Sequence, residues 1–258
     1  MLRIASLSSG SCGNAILLST SRTNILIDAG LPISYIDKSL RKLDKRLDQM
    51  DAILITHEHS DHVSSLEMIS KKIDIPIYVN FEVIDRLPKK FKEMNLRVFP
   101  ENDYFRLADL DIYSVSTSHD SMSSVGFCFY NNDHKAAIIT DLGIVSDLVI
   151  SALIGYDAML IESNHDLEML QKGGYPPFLK KRVQGARGHL SNDDAAEAII
   201  ALTTGREQKV LLGHLSQENN TPSKALDTVA SRLKRSKIDS IDLKVAPRRE
   251  ISSVISLS

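Results

Sequence analysis

Three histidines and one aspartate within six residues constrain this chain more than any other feature of its sequence. They are His57, His59, Asp61 and His62, and they lie between an apolar run at 52–56 and a helical pattern. Residues two apart in an extended segment point to the same side, so His57 and His59 can reach one point in space. Asp61 and His62 stand where the helix begins and can face a neighbouring point. Because imidazole and carboxylate groups are ligands of zinc, manganese and iron, the segment predicts one part of a two-metal site.

Further ligands of the same kind follow three later apolar runs, at positions where loops carry functional groups. They are His119 after the run 113–117, Asp141 after 136–140 and His214 after 210–213. We expect His119 to complete the site that His57 and His59 begin. We expect His214 to join Asp61 and His62 at the second metal. Asp141 is the candidate that bridges the two metals.

The spacing of apolar residues predicts strands and helices in alternation. Short strands dominate the first third, with helices at 33–46 and 63–71, and the middle third is rich in strands. The final third alternates helix and strand, and its helix at 191–202 starts on a capping box of Ser191 and Asp194. Two such halves predict two sheets packed together and flanked by helices, an α/β fold. We expect a single domain over residues 1–258.

The charge and cysteine content exclude several function classes. The 258 residues carry 31 basic and 33 acidic side chains, a net charge of −2, which argues against a surface built as a basic glove for nucleic acid. The two cysteines cannot form a disulfide framework. No apolar run reaches the ~18 residues of a membrane span, and the N-terminus lacks a signal-peptide pattern. We therefore expect a cytoplasmic protein with no membrane partner.

The order of the candidate ligands resembles the metallo-β-lactamase superfamily, in which H-x-H-x-D-H is followed by a separate His, Asp and His. Residues 9–14 (SGSCGN) resemble the first hairpin of that superfamily. Residues 25–30 (ILIDAG) resemble its Asp-x-Gly segment, in which Asp28 would be the structural aspartate near the site. The resemblance implies a four-layer αββα sandwich of two mixed sheets flanked by helices. It also implies two divalent metal ions, zinc, manganese or iron, at one sheet edge.

Four later segments resemble one branch of that superfamily, the YycJ/WalJ (VicX)-type proteins. They are 162–166 (ESNHD), 174–180 (GYPPFLK), 188–192 (GHLSN) and 214–220 (HLSQENN). That branch is regarded as 5′→3′ exodeoxyribonucleases, so the resemblance implies DNA as the substrate and leaves RNA open. It implies nothing about the oligomeric state.

Two spacings separate this chain from other nucleases of the superfamily. Asp141 and His214 are 73 positions apart, which leaves no room for the β-CASP insertion of RNase J-like enzymes. His119 and Asp141 are 22 positions apart, which leaves no room for the exosite arm of tRNase Z-like enzymes.

Three residues are candidates for the steps of phosphodiester hydrolysis. Two cations about 3.5–4 Å apart would hold a hydroxide that attacks phosphorus. Asp61 is expected to orient or deprotonate the water in addition to binding metal. His189 resembles the proton donor of tRNase Z-like relatives and is the candidate that protonates the leaving 3′-oxygen. Glu162 ends a strand and is the candidate partner of His189, with a solvated carboxylate as the alternative.

Four basic residues that precede His189 are candidates for binding substrate phosphates. They are Lys180, Lys181, Arg182 and Arg187. The alternative interpretation is a solvated helix face, which is the usual meaning of a charge run. With a net charge near zero, we expect a local grip on a strand end rather than wide coverage of a duplex.

The sequence therefore predicts a metal-dependent exonuclease with two metals and keeps two alternatives open. One is a small-molecule hydrolase of the same fold, such as a cyclic phosphodiesterase or a lactonase. The other is a metal-binding regulator without catalytic activity. The basic cluster favours the nuclease, a narrow pocket capped by apolar residues would favour the hydrolase, and the full ligand set disfavours the regulator.

Overall fold

The computed structural model describes residues 1–84, 91, 93–132 and 134–257. Within these residues the strands form two mixed sheets of seven strands each. The first sheet joins the N-terminal strands to the last strand of the chain. In spatial order its strands are β14 (Ile255–Leu257), β1 (Leu2–Ser8), β2 (Ala15–Ser19), β3 (Asn24–Ile27), β4 (Ala52–Leu54), β5 (Ile77–Asn80) and β6 (Leu96–Phe99).

The second sheet is built from the middle and final parts of the chain. In spatial order its strands are β13 (Ile241–Val245), β12 (Gln208–Gly213), β11 (Ala158–Glu162), β10 (His134–Ile139), β9 (Val125–Asn131), β8 (Leu110–Ser116) and β7 (Tyr104–Leu107). Strands β10 to β13 are parallel, and every residue of β11 is buried. A parallel strand that is covered on both faces buries all of its side chains, and the first four residues of β11 are accordingly apolar.

Helices cover the two outer faces of the sheet pair. They are α1 (Ile33–Arg41), α2 (Ser60–Val63), α3 (Leu66–Ser70), α4 (Phe81–Ile84), α5 (Asp147–Leu153), α6 (Leu167–Lys172), α7 (Pro177–Val183), α8 (Asn192–Leu202) and α9 (Pro222–Arg235). Helix α9 buries Ala225, Val229 and Leu233, which lie four residues apart on one face. None of the described helices is both long enough and apolar enough to cross a bilayer.

Three apolar layers separate the four layers of secondary structure. Leu18, Phe127 and Leu160 belong to the layer between the two sheets. A second layer, with Ile36, packs the first sheet against its helices, and a third, with Ile199, does the same for the second sheet. The predicted αββα sandwich of two mixed sheets is confirmed.

Strand direction places many loops at one edge of the sandwich. In the first sheet, β1 and β3 both pair antiparallel with β2, and β4 is parallel to β3, so these three strands run the same way. In the second sheet, β8 has the same direction as the parallel strands β10 to β13. The two edges meet, since the backbone amide of His214 donates to Ser9 Oγ at 2.7 Å. The loops that follow these strands therefore lie together.

The helix predicted at 33–46 is shorter in the structure, because α1 ends at Arg41. The amide of Lys45 donates back to the carbonyl of Leu40 at 2.9 Å, and Asp44 adopts a left-handed φ of 56°. This arrangement closes the helix and leaves the remaining apolar residues to a 3₁₀ turn at Leu47–Gln49.

The helix predicted at 63–71 is instead two short helices, α2 and α3. The interruption lies at Ser65, whose amide donates to the carbonyl of Ala29 at 2.9 Å and whose hydroxyl donates to the carbonyl of Leu31. These bonds tie the break in the helix to the loop after β3. The capping box predicted at Ser191 and Asp194 is confirmed at the start of α8.

Candidate metal centre

Every metal ligand proposed from the sequence lies just after a strand, at the shared sheet edge. His57 and His59 lie in the loop after β4, and Asp61 and His62 lie in helix α2, which follows that loop. The other three each follow a strand of the second sheet: His119 after β8, Asp141 after β10 and His214 after β12. The fold thus gathers residues from four separate segments into one place.

His57, His59 and His119 form the first cluster. One ligand atom from each residue lies within 4.8 Å of the others. The ring centroids of His57 and His59 are 4.6 Å apart, and each lies 5.1 Å from that of His119. Nδ1 of His119 donates to the carbonyl of Gly188 at 3.1 Å, which leaves Nε2 directed into the cluster.

Asp61, His62 and His214 form the second cluster by the same distance criterion. Asp141 lies between the two clusters. Its Oδ2 is 3.4 Å from Nε2 of His62, and its Oδ1 is 3.7 Å from Nε2 of His119 and 3.3 Å from Nδ1 of His214. This is the position that a bridging carboxylate requires.

Asp28 orients two of the histidines from behind. Nδ1 of His62 donates to Asp28 Oδ2 at 2.7 Å, and Thr56 donates its hydroxyl to the same carboxylate at 2.9 Å. The hydroxyl of Thr56 accepts in turn from Nδ1 of His57 at 3.0 Å. A carboxylate on one ring nitrogen fixes the ring and leaves the other nitrogen free for metal. Asp28 thus contacts one candidate ligand directly and a second one through Thr56.

Glu162 plays a similar part at the second sheet. This fully buried carboxylate accepts from Nδ1 of His189 at 2.7 Å and from Nδ1 of His214 at 2.8 Å. Its other oxygen accepts the backbone amides of Leu142 and Leu190. Glu162 is therefore not a solvated strand-end group but the shared partner of a candidate ligand and the candidate proton donor.

The donor atoms at this edge fit divalent metals. Among the described residues, Nε2 of His57, Nε2 of His214 and Oδ2 of Asp141 are buried and have no hydrogen-bond partner. Buried polar atoms are nearly always paired in folded proteins. Three orphaned atoms of ligand type that face one small region are explained by cations, and imidazole with carboxylate is a donor set that zinc, manganese and iron accept.

In the metal-free protein, the protonation states of His57 and Asp61 suit cation binding, whereas nearby carboxylates raise the pKa of His62 and His214, so a cation would displace their protons. Burial lowers the pKa of His57, and the neighbouring histidines lower it further, so its ring is neutral and able to coordinate. Burial opposes the ionisation of Asp61, but hydrogen bonding and attraction to His62 outweigh it and lower the pKa of this carboxyl. Burial alone would lower the pKa of His189, whereas the ion pair with Glu162 raises it to about 9. His189 is therefore charged at neutral pH.

Gly30 and Asn14 support the segment 57–62, and the sequence placed both in motifs, 25–30 and 9–14, without assigning either a contact with the ligands. The carbonyl oxygen of Asp61 would lie only 1.6 Å from a Cβ at position 30, so the segment packs where only glycine fits. The side-chain nitrogen Nδ2 of Asn14 lies 3.0 Å from Nε2 of His62. The backbone amide of Asn14 donates to the carbonyl of Asp61 at 2.8 Å. Such contacts between distant segments leave no local pattern in the sequence.

The four basic candidates divide into two groups. Arg182 contacts Asp120 at 2.5 Å, and Oδ1 of Asp120 is 3.3 Å from Nε2 of His119, so Arg182 lies beside the first cluster. Arg187 donates to the carbonyls of His119 and Ser121 at 2.9 and 3.1 Å, which fixes the loop that carries His119. The sequence did not reveal that Arg187 supports the loop carrying His119. It also gave no role to Asp120, which lies between Arg182 and His119.

The two lysines of the same run are placed differently. Lys180 donates its ammonium to the carbonyl of Gln171 on α6 at 2.6 Å. Lys181 is exposed on α7. The structure thus brings the two arginines, and not Lys180, into contact with the residues around His119.

The comparison with known sequences agrees with this geometry. A family profile described as "Beta-lactamase superfamily domain" matches residues 23–214. Exodeoxyribonuclease WalJ of Streptococcus pneumoniae is 36% identical over 245 residues, which cover 93% of this chain and 91% of that protein. Exodeoxyribonuclease YycJ of Bacillus anthracis is 34% identical over 235 residues, which cover 90% of this chain and 89% of that protein.

Solved structures share the fold at much lower identity. YhfI of Bacillus subtilis, a metallo-β-lactamase fold protein, superimposes with a TM-score of 0.73 at 16% identity, over 98% of this chain and 100% of that chain. Human tRNase Z, short form, superimposes with a TM-score of 0.68 at 16% identity, over 98% of this chain and 100% of that chain. The order of the ligands, the four-layer fold and the matching family profile show that the chain belongs to the metallo-β-lactamase superfamily, in the branch of the WalJ and YycJ proteins.

Proposed function

We propose that this protein is a metal-dependent 5′→3′ exodeoxyribonuclease whose active site is the centre described above. The observation that carries the proposal is the convergence of orphaned ligand atoms from His57, Asp141 and His214 beside the His189–Glu162 pair. That arrangement supplies both a metal site and a proton donor. Two relatives that match about nine-tenths of the chain are named exodeoxyribonucleases, which supports DNA as the substrate.

We propose two metal positions, because the ligand atoms form two clusters joined by one carboxylate. His57, His59 and His119 would hold one ion, and Asp61, His62 and His214 the other, with Asp141 shared. Bound zinc, manganese or iron would supply positive charge for the scissile phosphate and acidify a water molecule. The remaining tasks fall to side chains of this chain.

Asp61 is proposed to orient the attacking water by accepting a hydrogen bond from it, and its lowered pKa favours this role over that of proton acceptor. Its side chain is 25% exposed, whereas that of His62 is buried, so Asp61 can face both the cluster and the solvent side. The lowered pKa of its carboxyl keeps Asp61 ionised at neutral pH and able to accept a hydrogen bond from water.

His189 is proposed to donate a proton to the leaving 3′-oxygen when the bond between that oxygen and phosphorus breaks. Its side chain is 23% exposed, and Nδ1 is held by Glu162, so Nε2 is the nitrogen that faces substrate. The raised pKa keeps the ring protonated at neutral pH, which a general acid requires. Glu162 acts through His189 and holds the ring in place.

Arg182, Arg187 and Lys181 are proposed to bind backbone phosphates next to the scissile bond. Lys181 and Arg182 lie in α7 and Arg187 just after it, close in sequence to His189, and all three are exposed. Lys180 is a weaker candidate because its ammonium is already bound to Gln171. Since the net charge is only −2, these few cations and the metals would provide the attraction for DNA.

We also propose that residues 1–258 work as one catalytic domain without a β-CASP insertion or an exosite arm. The pairing of Leu2 with Leu257 in the first sheet supports this, because it joins the first and last strands. The segment between His119 and Asp141 is occupied by the hairpin of β9 and β10, which further supports the absence of an arm.

The experiment is a substrate comparison with end-labelled strands. Metal-loaded protein is incubated with one single-stranded DNA labelled at either end, with the matched RNA and with bis(p-nitrophenyl) phosphate. We expect immediate release of a labelled mononucleotide from 5′-labelled DNA and gradual shortening of 3′-labelled DNA. The variant Asp141→Asn should lose this activity. The matched control is His134→Gln, a histidine at the start of β10 on the opposite sheet edge, and it should keep full activity.

Three results would contradict the proposal in distinguishable ways. Hydrolysis of the small diester without trimming of any polynucleotide would favour the small-molecule hydrolase. Earlier release of label from the 3′ end would overturn the polarity. No hydrolysis of any substrate with manganese or zinc would favour the regulator.

A further inference from the structure

The segment that follows β13 reaches the same sheet edge as the metal centre. β13 is parallel to β12, so the residues after Val245 emerge beside the loop that carries His214. The segment is tied down there, because the hydroxyl of Ser8 donates to the carbonyl of Arg248 and the amide of Ser252 donates to the carbonyl of Ser6 at 2.9 Å. These residues lie beyond 23–214, the part of the chain that the family profile matches.

Arg248 crosses the first hairpin on its way to the loop after β12. Its Nη1 donates to the carbonyl of Ser216 at 3.1 Å, two residues beyond His214. A Cβ at Gly10 would lie 3.6 Å from Cγ of Arg248 and 3.2 Å from the carbonyl of Leu215, so these three segments pack closely. The half-buried stem of Arg248 is therefore part of the wall beside the second cluster.

Arg249 lies further out on the same wall and is exposed. Its Nη2 is 3.8 Å from Sγ of Cys12, a residue only two positions before Asn14. Asn14 in turn contacts Asp61 and His62 of the second cluster. Arg249 thus contacts the first hairpin, the segment whose Asn14 contacts Asp61 and His62.

The two guanidinium groups form no ion pair with a carboxylate of the residues that the structure describes. Among the described residues, no carboxylate oxygen lies within 4.0 Å of a nitrogen of Arg248 or Arg249. Arg182, on the other side of the centre, is paired with Asp120 at 2.5 Å. Positive charge placed beside a catalytic edge and left unpaired is available to an anion.

We propose that Arg248 and Arg249 bind a phosphate of the DNA strand adjacent to the scissile one, on the side opposite Arg182 and Arg187. This inference rests on the proposed function. A strand laid across both metal positions would then meet a cationic wall at each end of the centre. The bound group is either the terminal 5′-phosphate or an internal phosphate, and both offer the same oxygens to an arginine fork.

The first test measures KM and kcat of Arg249→Gln on DNA with a 5′-phosphate and on the same DNA with a 5′-hydroxyl. Arg249 is preferred to Arg248 because its side chain holds no backbone group. We expect KM to rise about tenfold with little change in kcat, and the salt slope to fall by about one phosphate. Arg249→Lys should restore most of the loss. Arg235→Gln, an exposed arginine at the far end of α9, is the matched control and should leave KM unchanged.

The two DNA substrates distinguish the source of the phosphate. A loss confined to the 5′-phosphorylated strand identifies the terminal phosphate, and an equal loss on both strands identifies an internal one. Unchanged KM on both strands overturns the inference while the wild-type enzyme still digests DNA. If the wild-type enzyme digests no DNA, the proposed function itself has failed.

A second readout needs no turnover. Cys12 is exposed and Cys128 is buried, so iodoacetamide should modify Cys12 first. We expect a phosphorothioate oligonucleotide, which resists hydrolysis, to slow this modification severalfold in the wild-type protein and much less in Arg249→Gln. Equal protection in both proteins would show that the strand does not depend on Arg249.

Discussion

At the scale of single residues, the centre depends on backbone conformations that few side chains adopt. Asp28, Asp141 and His214 have φ values of 61°, 58° and 54°, in the left-handed region. Aspartate and histidine tolerate this region better than most residues, but it still costs energy. Asp28 and His214 come directly after a strand, and Asp141 comes two residues after the end of β10. The left-handed turn ends the strand there, and the hydrogen bonds around Thr56 and Glu162 hold the resulting arrangement.

The role of His189 is tested by the choice of leaving group. We expect His189→Gln to lower kcat on DNA by about 10²–10⁴, because the departing 3′-alkoxide needs a proton. The same variant should hydrolyse bis(p-nitrophenyl) phosphate nearly as fast as wild type, since nitrophenolate leaves without protonation. Steady-state rates on both substrates, with bound metal measured in each protein, make the comparison. An equal loss on both substrates would indicate that His189 serves metal binding or folding instead.

The ion pair of His189 with Glu162 predicts a pH dependence in the metal-free protein. The folded pKa of His189 is about 9 against an ordinary 6.5, so the charged form is stabilised by folding. This contribution is fully present below pH 6.5 and is lost as the pH rises through 9. It amounts to at most about 3 kcal/mol of the free energy of unfolding.

The measurement is an NMR titration of the imidazole, combined with urea unfolding at several pH values. In Glu162→Gln, the pKa of His189 should fall well below 9, because the carboxylate that raises it most is gone while the effect of burial remains. A wild-type His189 that titrates near 6.5 would contradict the assignment of the ion pair.

At the scale of elements, long periodic segments were predictable from the sequence. Helix ends and breaks that depend on contacts with distant residues were not. The helix at 191–202 was predicted with its cap because Ser191 and Asp194 are local signals. The break at Ser65 depends on carbonyls of the loop after β3, more than 30 positions away, so no local pattern reveals it. Strand β7 was not predicted, since the burial of its residues 104–107 follows no regular alternation.

Gly30 gives a sharp test of how the loop after β3 supports the segment 57–62. In Gly30→Ala the new Cβ would lie 1.6 Å from the carbonyl oxygen of Asp61, so backbone must move. We expect a loss of about 3 kcal/mol or more in stability and at least a tenfold loss in metal affinity. Gly174→Ala is the matched control, because a Cβ at position 174 would meet no atom of the described residues within 4 Å.

Chemical denaturation and metal titration of the two variants measure these effects. A Gly30→Ala protein with wild-type stability and metal affinity would show that the segment 57–62 does not need the close approach. Equal losses of stability and metal affinity in Gly174→Ala would mean that the loss of a glycine itself, and not the contact with Asp61, is responsible.

At the scale of the whole molecule, the sequence indicated that the candidate ligands would lie close together, because each of them follows a strand and their order resembles that of a known superfamily. It did not predict the wall of Arg248 and Arg249. That wall depends on contacts between residues more than 230 positions apart, such as Arg249 with Cys12. Nor did it predict that Glu162 serves two histidines at once, because the spatial order of β10, β11 and β12 decides this.

The net charge of −2 predicts a shallow dependence of DNA binding on salt. A grip limited to a few arginines and the metals would release few counterions, so the slope should match about two to four phosphate contacts on single-stranded DNA. Fluorescence anisotropy of a labelled, hydrolysis-resistant oligonucleotide at several salt concentrations measures the slope. A slope that corresponds to about ten contacts would mean that the strand is bound over a much longer path.

The central proposal is that the first and second clusters together hold two divalent metals, which the exonuclease activity requires. The most direct measurement is mononucleotide release from 5′-labelled DNA by chelator-treated protein, as manganese or zinc is added back in known amounts. We predict no release without metal and activity that levels off at about two ions per chain. Undiminished release by the metal-free protein, or no recovery with manganese, zinc or iron, would contradict the claim.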